Sequence, residues 1–176
     1  MDELYKNLVK VAPREQIHFK CKGCGTCCRN VKQQVPLETL DAFRIARYLQ
    51  NHGEPIQCMD DVLELYAEPA LLDECGYFVY FLKTVGENDA CIFLDENNRC
   101  KIHSVNPRAC RTYPFIAAPL DEGGFETLIS FERKFHFNGP VVQPRTWMKK
   151  RFTSEDKEEL QTDPGRATQI DSLLIR

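Results

Sequence analysis

No apolar run in this chain approaches the length needed to cross a bilayer, so a membrane role is not expected. Its first residues, Met-Asp-Glu-Leu-Tyr-Lys, lack a basic stretch followed by an apolar one, and a secretory signal is not expected either. Charge of one sign is also missing. Lys and Arg number 23 against 26 Asp and Glu, for a net charge of −3, which leaves no global footprint for nucleic acid. There is no Gly-x-Ser-x-Gly elbow and no His-Glu-x-x-His helix. Gly123-Gly124 lies in a polar turn rather than between a strand and a helix, so it is not a phosphate loop. Internal repeats and low-complexity stretches are absent as well.

What the chain does have is cysteine, nine residues of it. Four fall within eight positions, Cys21, Cys24, Cys27 and Cys28, with Gly23 and Gly25 among them. Packing alone does not ask for such a density of thiols on a turning backbone. Thiolates at this spacing can converge on a soft cation. A disulfide scaffold is the competing use. The odd number and a 176-residue chain, long enough to bury its own core, argue against it. In a reducing cytoplasm, the expected location, clustered cysteines are metal ligands or redox groups.

Periodicity and turn residues predict the elements. Residues 1–13 read as an amphipathic helix through Leu4, Leu8 and Val11, and 16–20 as extended. Pro36 opens a helix to about His52 with Leu37, Leu40, Phe43, Ile45, Ala46 and Leu49 inward, Arg44 and Arg47 outward, and Gly53 as its cap. A shorter helix is expected over 60–68, strands over 76–85 and 125–135, and a hairpin with an Asp/Asn turn over 91–103. Pro107 starts a short helical turn carrying Cys110. Ser154 caps an acidic segment over 155–160, and 167–175 reads as a last helix. The sum is an α+β fold, a small irregular single domain of helices and β-hairpins organised around a cysteine-rich metal site. Residues 14–151 form the cysteine-cluster metal-binding domain. Residues 152–176, without cysteine or histidine, form a C-terminal helical tail.

Three later cysteines have interpretable settings. Cys91 and Cys100 open the two hairpin strands, and Cys110 follows in Asn106-Pro-Arg-Ala-Cys-Arg-Thr-Tyr-Pro114. On an extended backbone the neighbours Cys27 and Cys28 point to opposite faces, which suits two centres or one multinuclear centre. Two tetrahedral ions offer eight places. Seven cysteines fill them if one thiolate bridges or a histidine joins, His103 being the first candidate and His18 the second. Cys58 and Cys75 read as small buried hydrophobes. His52 suits a helix C-terminus, while His136 and Trp147 carry no signal. Cations crowd the cysteines: Lys20, Lys22, Arg29 and Lys32 at the first cluster, Arg99, Lys101, Arg108 and Arg111 at the later ones. They either compensate thiolate charge or are solvated surface groups. The spacing at Cys21, Cys24 and Cys27 is ferredoxin-like, but the usual fourth cysteine and its proline are missing.

These residues resemble the YkgJ-type cysteine-cluster proteins, a family associated with zinc or iron chelation. The likeness rests on Cys21-x-x-Cys24-Gly25-x-Cys27-Cys28-Arg29, Cys91-Ile-Phe-Leu-Asp95, Cys100-Lys-Ile102 and Arg108-x-Cys110-Arg111-x-Tyr113-Pro114. It runs from about residue 17 to 116, with 45–49 fitting the intervening helix. The chain departs at His103, where the family prefers tyrosine, and this favours the bridging-thiolate arrangement. The resemblance implies a metal-chelating domain of cytoplasmic proteins; members are sometimes labelled Fe–S oxidoreductases, and a related domain occurs in a flagellin lysine methylase.

The leading expectation is therefore a cytoplasmic metal-binding protein. Its ligands are Cys21, Cys24, Cys27, Cys28, Cys91, Cys100 and Cys110, and its cofactor is one or two zinc or iron ions. An iron–sulfur cluster is the alternative centre. The alternative functions are an iron–sulfur or mononuclear-iron redox enzyme, or a metal-assisted transferase or hydrolase, for which Asp95, Arg108, Arg111 and Tyr113 are the nearby polar groups. A third is an adaptor docking through the acidic tail. Beyond the metal ion, no nucleic-acid or membrane partner is expected.

Overall fold

The computed structural model describes residues 8–71, 78–119, 125–130 and 136–156. They form an α+β fold of helices and short antiparallel strands, as the sequence pattern predicts. In chain order the elements are β1 (Leu8–Lys10), β2 (Ile17–His18), α1 (Thr39–Asn51), α2 (Met59–Tyr66), β3 (Ala67–Leu71), β4 (Phe78–Leu82), β5 (Thr84–Val85) and β6 (Ala90–Cys91). They continue with α3 (Arg108–Thr112), β7 (Phe115–Pro119), β8 (Phe125–Ser130), β9 (Val141–Val142) and α4 (Pro144–Arg151). Two 3₁₀ turns, Thr26–Cys28 and His103–Val105, sit among them. The sheets are β1-β8-β7, β2-β9, β3-β4 and β5-β6.

The helix α1 forms where its apolar period predicts it. Ile45, Ala46 and Leu49 are buried, and Gly53 takes the left-handed conformation (φ 82°) that ends it. The inward stripe is rotated from the expected one, because Asp41 and Ala42 are buried while Phe43 is 49% exposed. Arg44 is correspondingly half-covered rather than fully outward. The capping of α2 uses Asp61, whose Oδ2 accepts the Gln57 and Cys58 backbone N–H groups at 2.6 and 3.0 Å.

The N-terminal helix is not found in its described part. Leu8–Lys10 is a strand, with Leu8 opposite Ser130 and Lys10 opposite Leu128. Residues 1–7 lie outside the described residues. A partner more than 100 positions away outweighs a helical spacing of three apolar residues, since propensity is weak against tertiary pairing. The strands β3, β7 and β9 and the helix α4 were not foreseen, and β3 takes over Ala67 and Glu68 from the helix expected over 60–68. The expected hairpin over 91–103 is only partly laddered. Cys91 pairs back with Thr84, and Leu94 bridges Cys100 around a tight turn in which Asp95 Oδ1 accepts the Asn97 and Arg99 N–H groups. Thr153, not Ser154, caps the last described helical turn. Its Oγ1 accepts the Asp156 N–H at 3.1 Å, and Asp156 Oδ2 accepts the Thr153 N–H at 2.8 Å. The expected helix over 167–175 lies outside the described residues.

The core has two parts. Leu37, Ile45, Val62, Leu82, Phe93 and Ile102 anchor the larger one, under α1, α2 and β3-β4. Val11, Ile17, Phe115 and Ile129 form the smaller, with Trp147 and Met148 packed on it. Phe19, 1% exposed, packs edge-on to Tyr113 and Trp147 beside the smaller one.

Candidate metal centre

The first cysteine cluster is held by a glycine. Gly25 has φ 69° and precedes the 3₁₀ turn Thr26–Cys28. A Cβ there would stand 2.9 Å from the Asn98 carbonyl oxygen and 3.0 Å from Leu94 Cδ1. Only a residue without one lets the turn lie flat against the 94–98 loop. The Arg29 guanidinium donates to Asn98 Oδ1. The Asn30 and Val31 N–H groups donate to the Asn88 and Asp89 carbonyls at 2.8 and 3.1 Å. The cysteine turn is thereby docked on both loops that carry Cys91 and Cys100.

The 3₁₀ turn overturns the expectation that Cys27 and Cys28 diverge. Their sulfurs are 3.9 Å apart, because a turn rather than an extended chain carries them. Two sulfurs on one tetrahedral zinc stand about 3.8 Å apart, given Zn–S of about 2.3 Å. Cys91, Cys100 and Cys110 gather around this pair. The Cys28 thiol is pushed far up by its hydrogen bond with Cys27, by burial, and by the negative charges that Cys27, Cys110 and Cys91 would carry. Burial raises Cys91, and neighbouring Cys100 and Cys27 add to it. Burial likewise raises Cys100, with Cys27 and Asp95 adding. Cys110 is raised well above its ordinary value by burial and then by Cys91, Cys100 and Cys27. Five thiols from four segments thus share one desolvated neighbourhood, where each opposes the ionisation of the others. A divalent cation there would reverse that balance and hold them as thiolates. Among the described residues no three His, Cys, Asp or Glu side chains form a finished ion site, so the thiols are gathered without being closed on a point.

Cys110 is positioned from outside the cluster. Its helix α3 is five residues long and too short to stand alone. The Arg108 N–H at its start donates to Asp41 Oδ2 of α1 at 2.9 Å, and the Trp147 indole N–H of α4 donates to the Thr112 carbonyl at its end at 3.2 Å. Arg108 pairs with Glu38 at 2.8 Å, and Arg111 with Asp41 and Asp156 at 3.4 and 2.9 Å. Both arginines are largely buried in carboxylate pairs, so they are not solvated surface charges. They tie α3 to α1 and to the start of the tail. Burial drives the Asp41 carboxyl up to about 6, against the opposing pull of Arg108 and Arg111.

Cys24 faces a different neighbour. Its sulfur is 3.2 Å from Thr26 Oγ1 and 3.4 Å from His136 Nε2. His136 is 2% exposed, and its Nδ1 is 3.0 Å from the Tyr113 hydroxyl. Sequence reasoning passed over His136, since nothing local distinguishes it; backbone bonds from Lys20 N–H to the His136 carbonyl, 2.9 Å, and from Phe19 N–H to the Pro140 carbonyl, 3.0 Å, bring it to the cluster. Cys21 is exposed; burial lowers the Arg151 guanidinium below its ordinary value, and the nearby Cys21 opposes that shift in part. Of the two histidines named as candidates, His18 donates from Nδ1 to the Gly139 carbonyl at 2.9 Å, and His103 is exposed on its 3₁₀ turn. Cys58 is exposed at the N-cap of α2, not buried as expected. Cys75 lies outside the described residues. His52 does end α1, its Nδ1 donating to the Tyr48 carbonyl at 2.7 Å. All eight described cysteines are free thiols.

A family model for CxxCxxCC, "Putative zinc- or iron-chelating domain", matches residues 20–139, more than half of the chain. The chain belongs to the CxxCxxCC family. Its match takes in all seven expected ligands together with Tyr113 and His136, and it ends before α4. The CxxCxxCC motif itself is the run from Cys21 to Cys28. No solved structure matches the chain. No described helix is long and apolar enough to cross a membrane.

Proposed function

We propose that this member of the CxxCxxCC family binds one or two zinc or iron ions through Cys21, Cys24, Cys27, Cys28, Cys91, Cys100 and Cys110, in a reducing cytoplasm. The observation that carries the reading is the gathering of Cys27, Cys28, Cys91, Cys100 and Cys110 in one neighbourhood. Buried thiols that raise one another's pKa are costly to keep ionised, and a bound cation removes that cost. Free thiols throughout the described chain fit a compartment that keeps cysteine reduced. Zinc is the first choice, because closed tetrahedral thiolate sites suit it, with iron second. An iron–sulfur centre is the alternative, on the ferredoxin-like spacing of Cys21, Cys24 and Cys27. Colour separates them, since zinc is silent and thiolate-bound iron absorbs visible light.

The test is metal content by mass spectrometry in anaerobically purified full-length variants. Serine at Cys24, Cys27 or Cys110 is expected to lower bound metal and to destabilise the fold. Serine at Cys58, exposed at a helix start, is expected to leave metal content unchanged. Equal loss from Cys58→Ser and Cys27→Ser would refute the ligand set.

A further inference from the structure

We propose that His136 is a metal ligand that shares an ion with Cys24, beside the five-thiol group. Tyr113 is the residue that positions its ring. The inference rests on the proposed function and adds to it a ligand from the far side of the chain. The distances favour it. A sulfur and an imidazole nitrogen on one tetrahedral zinc stand about 3.6 Å apart, given bonds of about 2.3 and 2.0 Å. Cys24 Sγ and His136 Nε2 are 3.4 Å apart, close to that spacing.

The ring is held as a ligating histidine is held. With Nε2 left unprotonated for a metal, Nδ1 would carry the proton and donate to the Tyr113 hydroxyl oxygen 3.0 Å away. That bond fixes both tautomer and ring plane. Phe19 packs edge-on against both rings, at 6.1 Å from His136 and 5.7 Å from Tyr113, and His136 is 2% exposed. A buried imidazole with an anchored Nδ1 and a thiol at Nε2 is a rigid nitrogen donor.

The donor count agrees. One tetrahedral ion takes four ligands, and five thiols sit together around Cys27 and Cys28. Cys24 and His136 add a sulfur and a nitrogen donor beside them.

X-ray absorption of the zinc-loaded, reduced full-length chain tests the assignment. The expected first shell is sulfur at about 2.3 Å with a minority of nitrogen at about 2.0 Å. That nitrogen should vanish in His136→Cys, which supplies a sulfur in its place and keeps the zinc. It should persist in His18→Ala and His103→Ala. His136→Ala should bind one zinc fewer than the native chain. Tyr113→Phe should keep the nitrogen signal while zinc affinity falls about 10-fold or more; unchanged affinity would remove its positioning role. A sulfur-only shell in the native protein, or nitrogen that survives His136→Cys, overturns the inference and leaves the thiolate site standing. A native chain that takes up no zinc or iron overturns both readings.

Discussion

A methyl group added at Gly25 has nowhere to go. It would press on the Asn98 carbonyl at 2.9 Å and on Leu94 at 3.0 Å, on a backbone already at φ 69°. Gly23, two residues earlier, has a similar φ of 60° but nothing within 4 Å of its virtual Cβ. Comparison of the two separates backbone strain from close approach. Gly23→Ala is expected to cost about 1 kcal/mol, the left-handed penalty alone. Gly25→Ala should cost about 2–3 kcal/mol, because the cysteine turn must lift from the 94–98 loop. Urea unfolding of the two variants measures the difference, and an equal loss in both would show that the close approach does not matter. The same local view explains why Cys27 and Cys28 do not diverge. Alternation of side chains holds for extended backbone, and the glycine before them makes a turn instead.

At the scale of elements, the short helix α3 depends on its neighbours more than on its own residues. Asp156 links Arg111 of α3 to Arg44 of α1 at 2.9 and 2.8 Å while capping its own turn, and it is 1% exposed. Asp156→Ala leaves two guanidinium groups without that carboxylate and is expected to cost ~3 kcal/mol. Asp156→Asn retains an acceptor for the Thr153 N–H and should cost less. Thermal unfolding of the two variants ranks them, and a neutral Asp156→Ala would mean the tail's first turn does not hold α3. This network was not legible in the sequence. A buried carboxylate looks like any surface one until its arginine partners are known. Elements with a long apolar period, such as α1 and α2, were legible, because their own residues decide them. The strands β1 and β7 were not, since both exist through pairing with β8. The cluster from Cys21 to Cys28 stood out by density alone, whereas His136 acquires meaning only from Cys24 and Tyr113.

For the whole molecule, the cysteines join segments that the core joins only in part. Cys28, Cys100 and Cys110 pack at the edge of the larger core, while Tyr113 and His136 meet Phe19 beside the smaller one. Metal at this seam would couple the two halves, and its removal should loosen them together. The pH dependence has a definite sign. Cys28, Cys91, Cys100 and Cys110 all have folded pKa values above the ordinary 9.0. Their protonation favours the metal-free fold below that value, and the benefit disappears as pH rises through the folded values. In the metal-loaded protein the thiols are ionised by the cation, so stability should instead fall on acidification, as protons displace it. Thermal unfolding of the reduced protein, zinc-loaded and chelator-stripped, across about pH 5 to 10 is therefore the most direct measurement. The account predicts a higher midpoint with zinc at neutral pH and opposite pH slopes for the two forms, acid-labile when loaded and alkali-labile when stripped. Superimposable curves, with the stripped protein equally folded and all its thiols free, would contradict it.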